Sequence, residues 1–140
     1  MFESLQIYAN FIGVSLAAMS VGASWVSSIA SPNCSYDKLD GSRADRHVRE
    51  LIYATALGIS GLLLASAMLF LLGTSWIAAV TAMMGAFGFY ATRMMLAPKE
   101  GKNKQGVKTS RKKQRAYSVS FSLVFTVVAF AAMVLGVFQV

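Results

Sequence analysis

Four long apolar segments, separated by two short polar stretches, constrain this chain more than any other feature of its sequence. They extend over residues 5–31, 48–73, 74–98 and 116–140. A helix needs roughly 20 mostly apolar residues to cross a bilayer, so each segment is long enough for one crossing. With only 14% charged residues, the chain is also too poor in charge for an ordinary soluble domain of 140 residues. We therefore expect one domain, residues 1–140, with an all-α fold. The predicted architecture is a polytopic integral membrane protein whose four transmembrane helices form an antiparallel left-handed bundle.

The second polar stretch, residues 99–115, sets the expected orientation. It contains eight basic residues and one acid, Glu100, so its charge of +7 equals the formal net charge of the whole chain. Short loops rich in Lys and Arg remain in the cytoplasm. With four spans, residues 32–47 and 99–115 lie on the same side of the membrane. We predict that both loops are cytoplasmic, that both termini are extracytoplasmic, and that the protein resides in a bacterial inner membrane.

The basic stretch also predicts a contact surface. Lys and Arg beside a membrane attract anionic lipid headgroups, and they can equally dock an acidic partner protein. Arg93, near the end of the third span, is expected to join them because its guanidinium can snorkel to the headgroups. No nucleic-acid-binding motif accompanies these charges, so no nucleic-acid partner is expected. The predicted contact residues are Arg93, Lys99, Lys102, Lys104, Lys108, Arg111, Lys112, Lys113 and Arg115.

Small residues recur at alternating steps of four and three in every span. This spacing keeps a row on one face of a helix in a left-handed bundle. Small side chains let helix backbones approach closely in lipid, where association depends on close contact and interhelical hydrogen bonds. We predict that these rows are helix-packing seams, while large residues such as Leu63 and Phe70 face lipid or a neighbouring subunit. The seam residues are Gly13, Ala17, Ser20, Ser24, Ala54, Gly58, Gly61, Ala65, Thr81, Gly85, Gly88, Ser118, Ser122, Ala129, Ala132 and Gly136.

The central parts of the predicted spans lack ionisable residues. An ionisable group near the bilayer centre is the usual sign of a proton relay or an ion pathway, because burying it costs several kcal/mol. The chain has one His and one Cys, and these provide neither a pair of imidazole ligands nor a CxxC motif. We therefore predict no catalytic residue, no metal site and no cofactor within one chain.

The first polar stretch gathers the side chains best suited to catalysis. If the second helix starts early, near Ser42, then Arg43, Arg46 and Glu50 share one face at i, i+3 and i+7, and an ion-paired helical entry explains this spacing without chemistry. The length, the span count and these three residues resemble the membrane-associated eicosanoid and glutathione enzymes, although the Asn expected in that Arg-rich entry is absent. The resemblance implies trimers that bind a lipophilic substrate between helices.

Three classes of function remain open at this point. The first is a non-catalytic structural or accessory subunit, which packs into a larger membrane complex or assembles with copies of itself. The second is the small integral enzyme that the resemblance implies. The third is a small channel or exporter, which the lack of charged residues inside the spans disfavours. We rank them in this order, so the expected partners are other membrane subunits or copies of this chain, together with membrane lipid.

Overall fold

A computed structural model describes residues 2–97 and 107–140, and the regular structure of these residues is entirely helical. Helix α1 (Phe2–Trp25) continues through a π-helical turn (Val26–Ala30) into helix α2 (Ser31–Lys38). The remaining helices are α3 (Gly41–Leu72), α4 (Trp76–Leu96) and α5 (Val107–Val137). The chain is therefore all-α over the described residues, as the sequence predicts.

Three of the helical segments are long and apolar enough to cross a membrane. They are the continuous segment Glu3–Lys38, helix α3, and the part of α5 from Ala116 to Val137. The third predicted span corresponds to α4, which has 21 residues but is not among these three. Helix α4 consists mostly of Ala, Gly, Thr and Met and carries Arg93 in its last turn. At about 1.5 Å per residue its length is ~31 Å.

The predicted loop at residues 32–47 is wrong as a description of the backbone. The chain is helical on both sides of a break at Leu39 and Asp40, because α2 ends at Lys38 and α3 begins at Gly41. Leu39 has extended backbone angles (φ −122°, ψ 147°), which end α2 and redirect the chain into α3. The polar residues on either side of the break form helical turns that are mostly exposed to solvent, where side-chain pairs spaced i, i+4 can stabilise a helix. Asp40 is the N-cap of α3, which begins one residue before Ser42.

Pro32 determines the irregular part of the first helical segment. Proline has no backbone N–H and disrupts the helical turn that precedes it. Here that turn is π-helical, and the N–H of Ser31 donates to the carbonyl of Val26, five residues earlier. Pro32 then lies in the first turn of α2, where the absence of an N–H is tolerated.

The four long segments pack in a closed order. Helix α1 contacts α3 and α5, and α4 contacts the same two helices from the other side. Helices α3 and α4 are joined only by Gly73, Thr74 and Ser75, with Thr74 in the left-handed region at φ 64°. The N–H of Ser75 donates to the carbonyl of Phe70 at 2.9 Å and closes the end of α3. The two helices consequently run antiparallel along each other.

Buried apolar side chains form three successive clusters along the helices. The cluster nearest the α3–α4 turn is built mainly from alanines around Phe70. The middle cluster contains Leu63 and Phe89. The third, at the opposite end, consists of Val48, Ile52 and Leu96, with Tyr53 and Val119 packed against it. The core is thus narrow, and its helices lie close together wherever alanine or glycine lines it.

Candidate functional site

Three of the four predicted seams lie inside the protein. The seam residues of α1, α5 and α4 are buried, except that Thr81 is half-buried. A Cβ atom at Gly88 would overlap the ring of Phe125, and one at Gly136 would overlap the ring of Phe70. These glycines therefore permit close approach between helices of the same chain. The buried members are Gly13, Ala17, Ser20, Ser24, Gly85, Gly88, Ser118, Ser122, Ala129, Ala132 and Gly136.

The seam predicted for α3 lies on the opposite face from the core. Ala54, Gly58, Gly61 and Ala65 are exposed, and we call this set the α3 outer row. A Cβ atom added at Gly58 or Gly61 would meet nothing within 4 Å. The prediction that this row packs inside the protein is wrong for the single chain. The prediction that Leu63 and Phe70 face outward is wrong as well, since both are fully buried.

The packed face of α3 was predicted wrongly because lipid and water select the exposed face of a helix in different ways. In water, the polar face of a helix identifies its exposed side. In lipid, small and large apolar faces are equally compatible with exposure, because lipid tails are as apolar as leucine. The pattern of small residues on α3 therefore could not reveal which of its two faces packs within the chain.

Buried hydroxyl groups connect neighbouring helices, and none of the three serines on α3 and the π turn that supply them is among the predicted seam residues. Ser66 donates to the carbonyl of Gly13 on α1 at 2.7 Å, and Ser60 donates to the carbonyl of Ala86 on α4 at 2.9 Å. Ser28, in the π-helical turn, forms a 2.5 Å hydrogen bond with Ser122 on α5. Isolated serines in an otherwise apolar segment are the signal that could have identified Ser60 and Ser66. Every buried side-chain N or O atom among the described residues has a partner.

Asn10 of α1 forms hydrogen bonds with α5 and with the α3–α4 turn. Its Nδ2 donates to the carbonyl of Gly136 at 2.7 Å, and its Oδ1 accepts a hydrogen bond from Ser75 at 3.0 Å. The backbone N–H of Ala78 also donates to a backbone oxygen of Val140 at 3.1 Å. These bonds join α1 to α5 and to the α3–α4 turn, and they join the start of α4 to the residues after α5.

Arg93 lies half-buried at the other end of the protein. Its guanidinium carbon is 4.5 Å from the centre of the Tyr53 ring, a cation–π distance, and its Nη1 donates to the carbonyl of Tyr53 at 3.5 Å. The side chain of Arg93 on α4 therefore contacts α3. Tyr53 contributes both its ring and its backbone carbonyl to this contact.

The polar residues at the start of α3 form ordinary surface interactions. Arg46 and Glu50 make an exposed ion pair at 2.7 Å, as expected for residues spaced i, i+4 on a helix. Tyr36 of α2 donates to Asp45 at 2.5 Å and holds α2 against α3. Cys34 is exposed. Within residues 2–97 and 107–140, no group of three His, Cys, Asp or Glu side chains is placed to hold a metal ion.

The predicted basic contact residues beyond Arg93 fall into two groups. Lys99, Lys102 and Lys104 lie outside the described residues. The other five basic residues of the stretch belong to the first turns of α5, which begins at Val107. The connection between α4 and α5 is therefore shorter than the predicted loop at residues 99–115. Those five are Lys108, Arg111, Lys112, Lys113 and Arg115.

Comparison with known proteins adds no further constraint. No family model, curated protein or solved structure matches this chain.

Proposed function

We propose that this chain is a four-span membrane protein that serves as a non-catalytic subunit of a larger membrane assembly. Its partners are copies of itself or other membrane proteins. The α3 outer row is the observation that carries this proposal. Ala54, Gly58, Gly61 and Ala65 form a shallow, exposed groove along a helix that is long and apolar enough to cross a membrane.

The inner seams of the same chain support this interpretation of the outer row. Where a row of small residues is buried, as at Gly85 and Gly88 on α4, a neighbouring helix fills the space above it. The outer row has the same residue types and the same four-three spacing, with open space above Gly58 and Gly61. A helix from another chain would fill it by the same close contact.

The packing of α4 supports a four-span topology. Because α3 can cross the membrane and is joined to α4 by three residues, a helix that packs antiparallel along α3 returns through the same layer. The length of α4, ~31 Å, matches a hydrocarbon core of about 30 Å. The helices then form the antiparallel bundle predicted from the sequence, with left-handed crossings that follow from the four-three spacing.

The charge distribution supports one orientation of this bundle. The basic residues between α4 and α5 favour a cytoplasmic location for that connection and for the α2–α3 break. Both termini are then extracytoplasmic. The proposed location is the inner membrane of a bacterium. The basic residues of this side are suited to contact anionic headgroups.

The test is the native mass of the protein extracted in mild detergent, with every co-purifying protein identified. The wild-type particle should contain more than one 15.0 kDa chain, or further membrane proteins. Gly58→Leu and Gly61→Leu should each weaken assembly by roughly tenfold, ~1.4 kcal/mol, because the added side chain keeps the partner helix away. Gly22→Leu is the matched control, since Gly22 is also exposed with open space around it but lies on α1.

Two results would contradict the proposal. One is a wild-type protein that is monomeric and free of protein partners. The other is an assembly that Gly58→Leu and Gly61→Leu leave as stable as Gly22→Leu does. A small homo-oligomer that carries a bound thiol cofactor would instead favour the enzyme that the sequence layout resembles.

A further inference from the structure

The end of the α3–α4 contact that carries Arg93 on α4 also carries an arginine, Arg49, on α3. Arg93 lies over the ring of Tyr53 at 4.5 Å. Arg49 is half-buried and precedes Tyr53 by four residues, which is one turn of α3 on the same face. That face is directed at α4, because Ser60, seven residues after Tyr53, donates to the carbonyl of Ala86. Both guanidinium groups therefore belong to one side of the α3–α4 contact.

Among the described residues neither Arg49 nor Arg93 forms an ion pair with a carboxylate, although Glu50 lies close enough to interact with the charge of Arg49. The one ion pair there joins Arg46 to Glu50, and Asp45 accepts the hydrogen bond of Tyr36. A guanidinium has five N–H donors. The hydrogen bond from Arg93 goes to a carbonyl oxygen at 3.5 Å, which is too long to be strong. Two arginines on the same side of the α3–α4 contact favour an anionic oxygen ligand, and arginine pairs with phosphate in a bidentate geometry.

The depth and surroundings of the two arginines favour a lipid phosphate over a soluble one. Arg93 is 17 residues beyond Trp76, the first residue of α4, which at about 1.5 Å per residue is ~26 Å along the helix. In a hydrocarbon core of about 30 Å this places the guanidinium next to one headgroup layer. Tyr90 and Met94 beside it on α4, and Leu57 one turn beyond Tyr53 on α3, are exposed. Exposed apolar side chains below a pair of cations suit the acyl chains and headgroup of a lipid better than a soluble anion.

We propose that Arg49, Tyr53 and Arg93 form a binding site for the phosphate of an anionic membrane lipid at the end of the α3–α4 contact. The site rests on the proposed membrane-spanning arrangement of α3 and α4. It does not require the α3 outer row or any partner chain. Tyr53 holds the Arg93 guanidinium by cation–π contact, and Arg49 supplies the second cation from the preceding turn of α3.

The experiment is native mass spectrometry of the detergent-solubilised chain with phosphatidylglycerol and with phosphatidylcholine. We expect the wild type to bind phosphatidylglycerol preferentially. Arg49→Gln and Arg93→Gln should each reduce its affinity about fivefold, which corresponds to ~1 kcal/mol for each cation at a headgroup. Arg43→Gln removes the same charge from an exposed position earlier on α3 and should leave the affinity unchanged. Arg93→Lys keeps the charge but loses the planar group, and it should bind with intermediate affinity.

A second arm separates a lipid from a soluble phosphate. Inorganic phosphate at millimolar concentration should not displace phosphatidylglycerol, and displacement in proportion to phosphate concentration would overturn the lipid assignment. Equal affinities of the Arg49→Gln/Arg93→Gln double variant and Arg43→Gln would overturn the site itself.

A third arm uses the unaltered protein, in case the variants fail to fold. Phosphatidylglycerol with a photoactivatable headgroup should label peptides that contain residues 49–57 and 90–96. Labelling confined to other peptides would overturn the proposal. Selective lipid binding by a strictly monomeric protein would contradict the proposed assembly while leaving this site intact, so the two proposals can fail separately.

Discussion

At the scale of single residues, the packing depends on glycines that lie opposite aromatic rings. Phe70 is fully buried, and its ring occupies space that Gly13 of α1 and Gly136 of α5 leave open. Phe125 fits against Gly88 in the same way and also approaches Phe89, with ring centres 6.2 Å apart. Each ring needs the absence of a Cβ atom on a neighbouring helix. A small residue and a large residue on different helices thus act as one unit of packing.

Gly88→Ala tests this pairing. The new methyl group would overlap the Phe125 ring, which must shift and lose its place beside Phe89. We expect the free energy of unfolding to fall by about 1–3 kcal/mol, the usual range for overpacking. The better helix propensity of alanine, ~1 kcal/mol, offsets part of this loss. The measurement is the denaturation of the solubilised monomer by heat or by SDS.

Gly22→Ala is the matched control for this change. It makes the same substitution in a helix, at a glycine with nothing within 4 Å. Its stability should be unchanged or slightly higher. If Gly88→Ala were as stable as Gly22→Ala, the close approach of Gly88 to Phe125 would have no energetic importance.

At the scale of elements, the π-helical turn gives the first helical segment a contact that a regular helix would not make. Pro32 leaves the preceding turn without one backbone donor, and the turn widens over Val26–Ala30. The widened turn directs Ser28 towards Ser122 of α5, where the two hydroxyl oxygens are 2.5 Å apart. Such turns in helices commonly mark specific contacts or functional positions.

A disulfide tests this geometry. In a Cys34→Ser background, the double variant Ser28→Cys/Ser122→Cys should cross-link efficiently on mild oxidation, because the two side chains already meet. Adding Pro32→Ala should lower the yield severalfold, since the turn can then become α-helical and rotate residue 28 away. Gel mobility with and without reductant measures the yield.

The pair Ser20→Cys/Ser122→Cys is the control for cross-linking. Ser20 is buried on the same helical segment but is eight residues from Ser28, about 12 Å along the axis, which is too far for a disulfide. Similar yields for the two pairs would mean that the contact between Ser28 and Ser122 is not a fixed feature of the fold.

The positions of the helices could be predicted from the sequence more fully than their contacts. Long apolar segments were sufficient to predict the helices, because a backbone in lipid must satisfy its own hydrogen bonds. Hydropathy could not predict the solvated helical turns on either side of Leu39. Polar residues can also form a helix, and a hydropathy pattern does not distinguish that helix from a loop. It also could not choose the packed face of α3, where Phe70 and Gly61 are both compatible with lipid. The contact of Arg93 with Tyr53 depends on the register of α4 against α3, which only the folded chain fixes.

At the scale of the whole molecule, the two ends of the helices differ in chemistry. One end gathers Asn10, Ser75 and the carbonyl of Gly136 in hydrogen bonds between uncharged groups. The other end carries Arg49 and Arg93, together with the basic first turns of α5. Because the basic residues are concentrated at one end, the positive-inside rule predicts one orientation for the proposed bundle. Assembly through α3 would preserve this orientation in every copy.

The number of membrane crossings can be measured with two cysteines. Cys34 is exposed in α2, and Val140 is exposed beyond the end of α5. Three helices, α3, α4 and α5, separate these positions. If all three cross the membrane, the two residues lie on opposite sides. We expect a membrane-impermeant maleimide to label Cys34 in inverted vesicles but not in intact cells. Val140→Cys in a Cys34→Ser background should show the reverse pattern.

Each other outcome has a definite structural meaning. Labelling of both cysteines from the same side would require an even number of crossings between them, so α4 would not span the membrane and the four-span topology would be wrong. Labelling on opposite sides with the two patterns exchanged would keep four spans but invert the orientation, which would contradict the role assigned to the basic residues before α5. A cytoplasmic reporter placed near Gly106, compared with one fused after Val140, checks the orientation independently. Because the α3–α4 connection is only three residues long, the position of α4 decides whether Arg93 reaches a headgroup layer, and the cysteine experiment therefore also tests the depth on which the proposed lipid site depends.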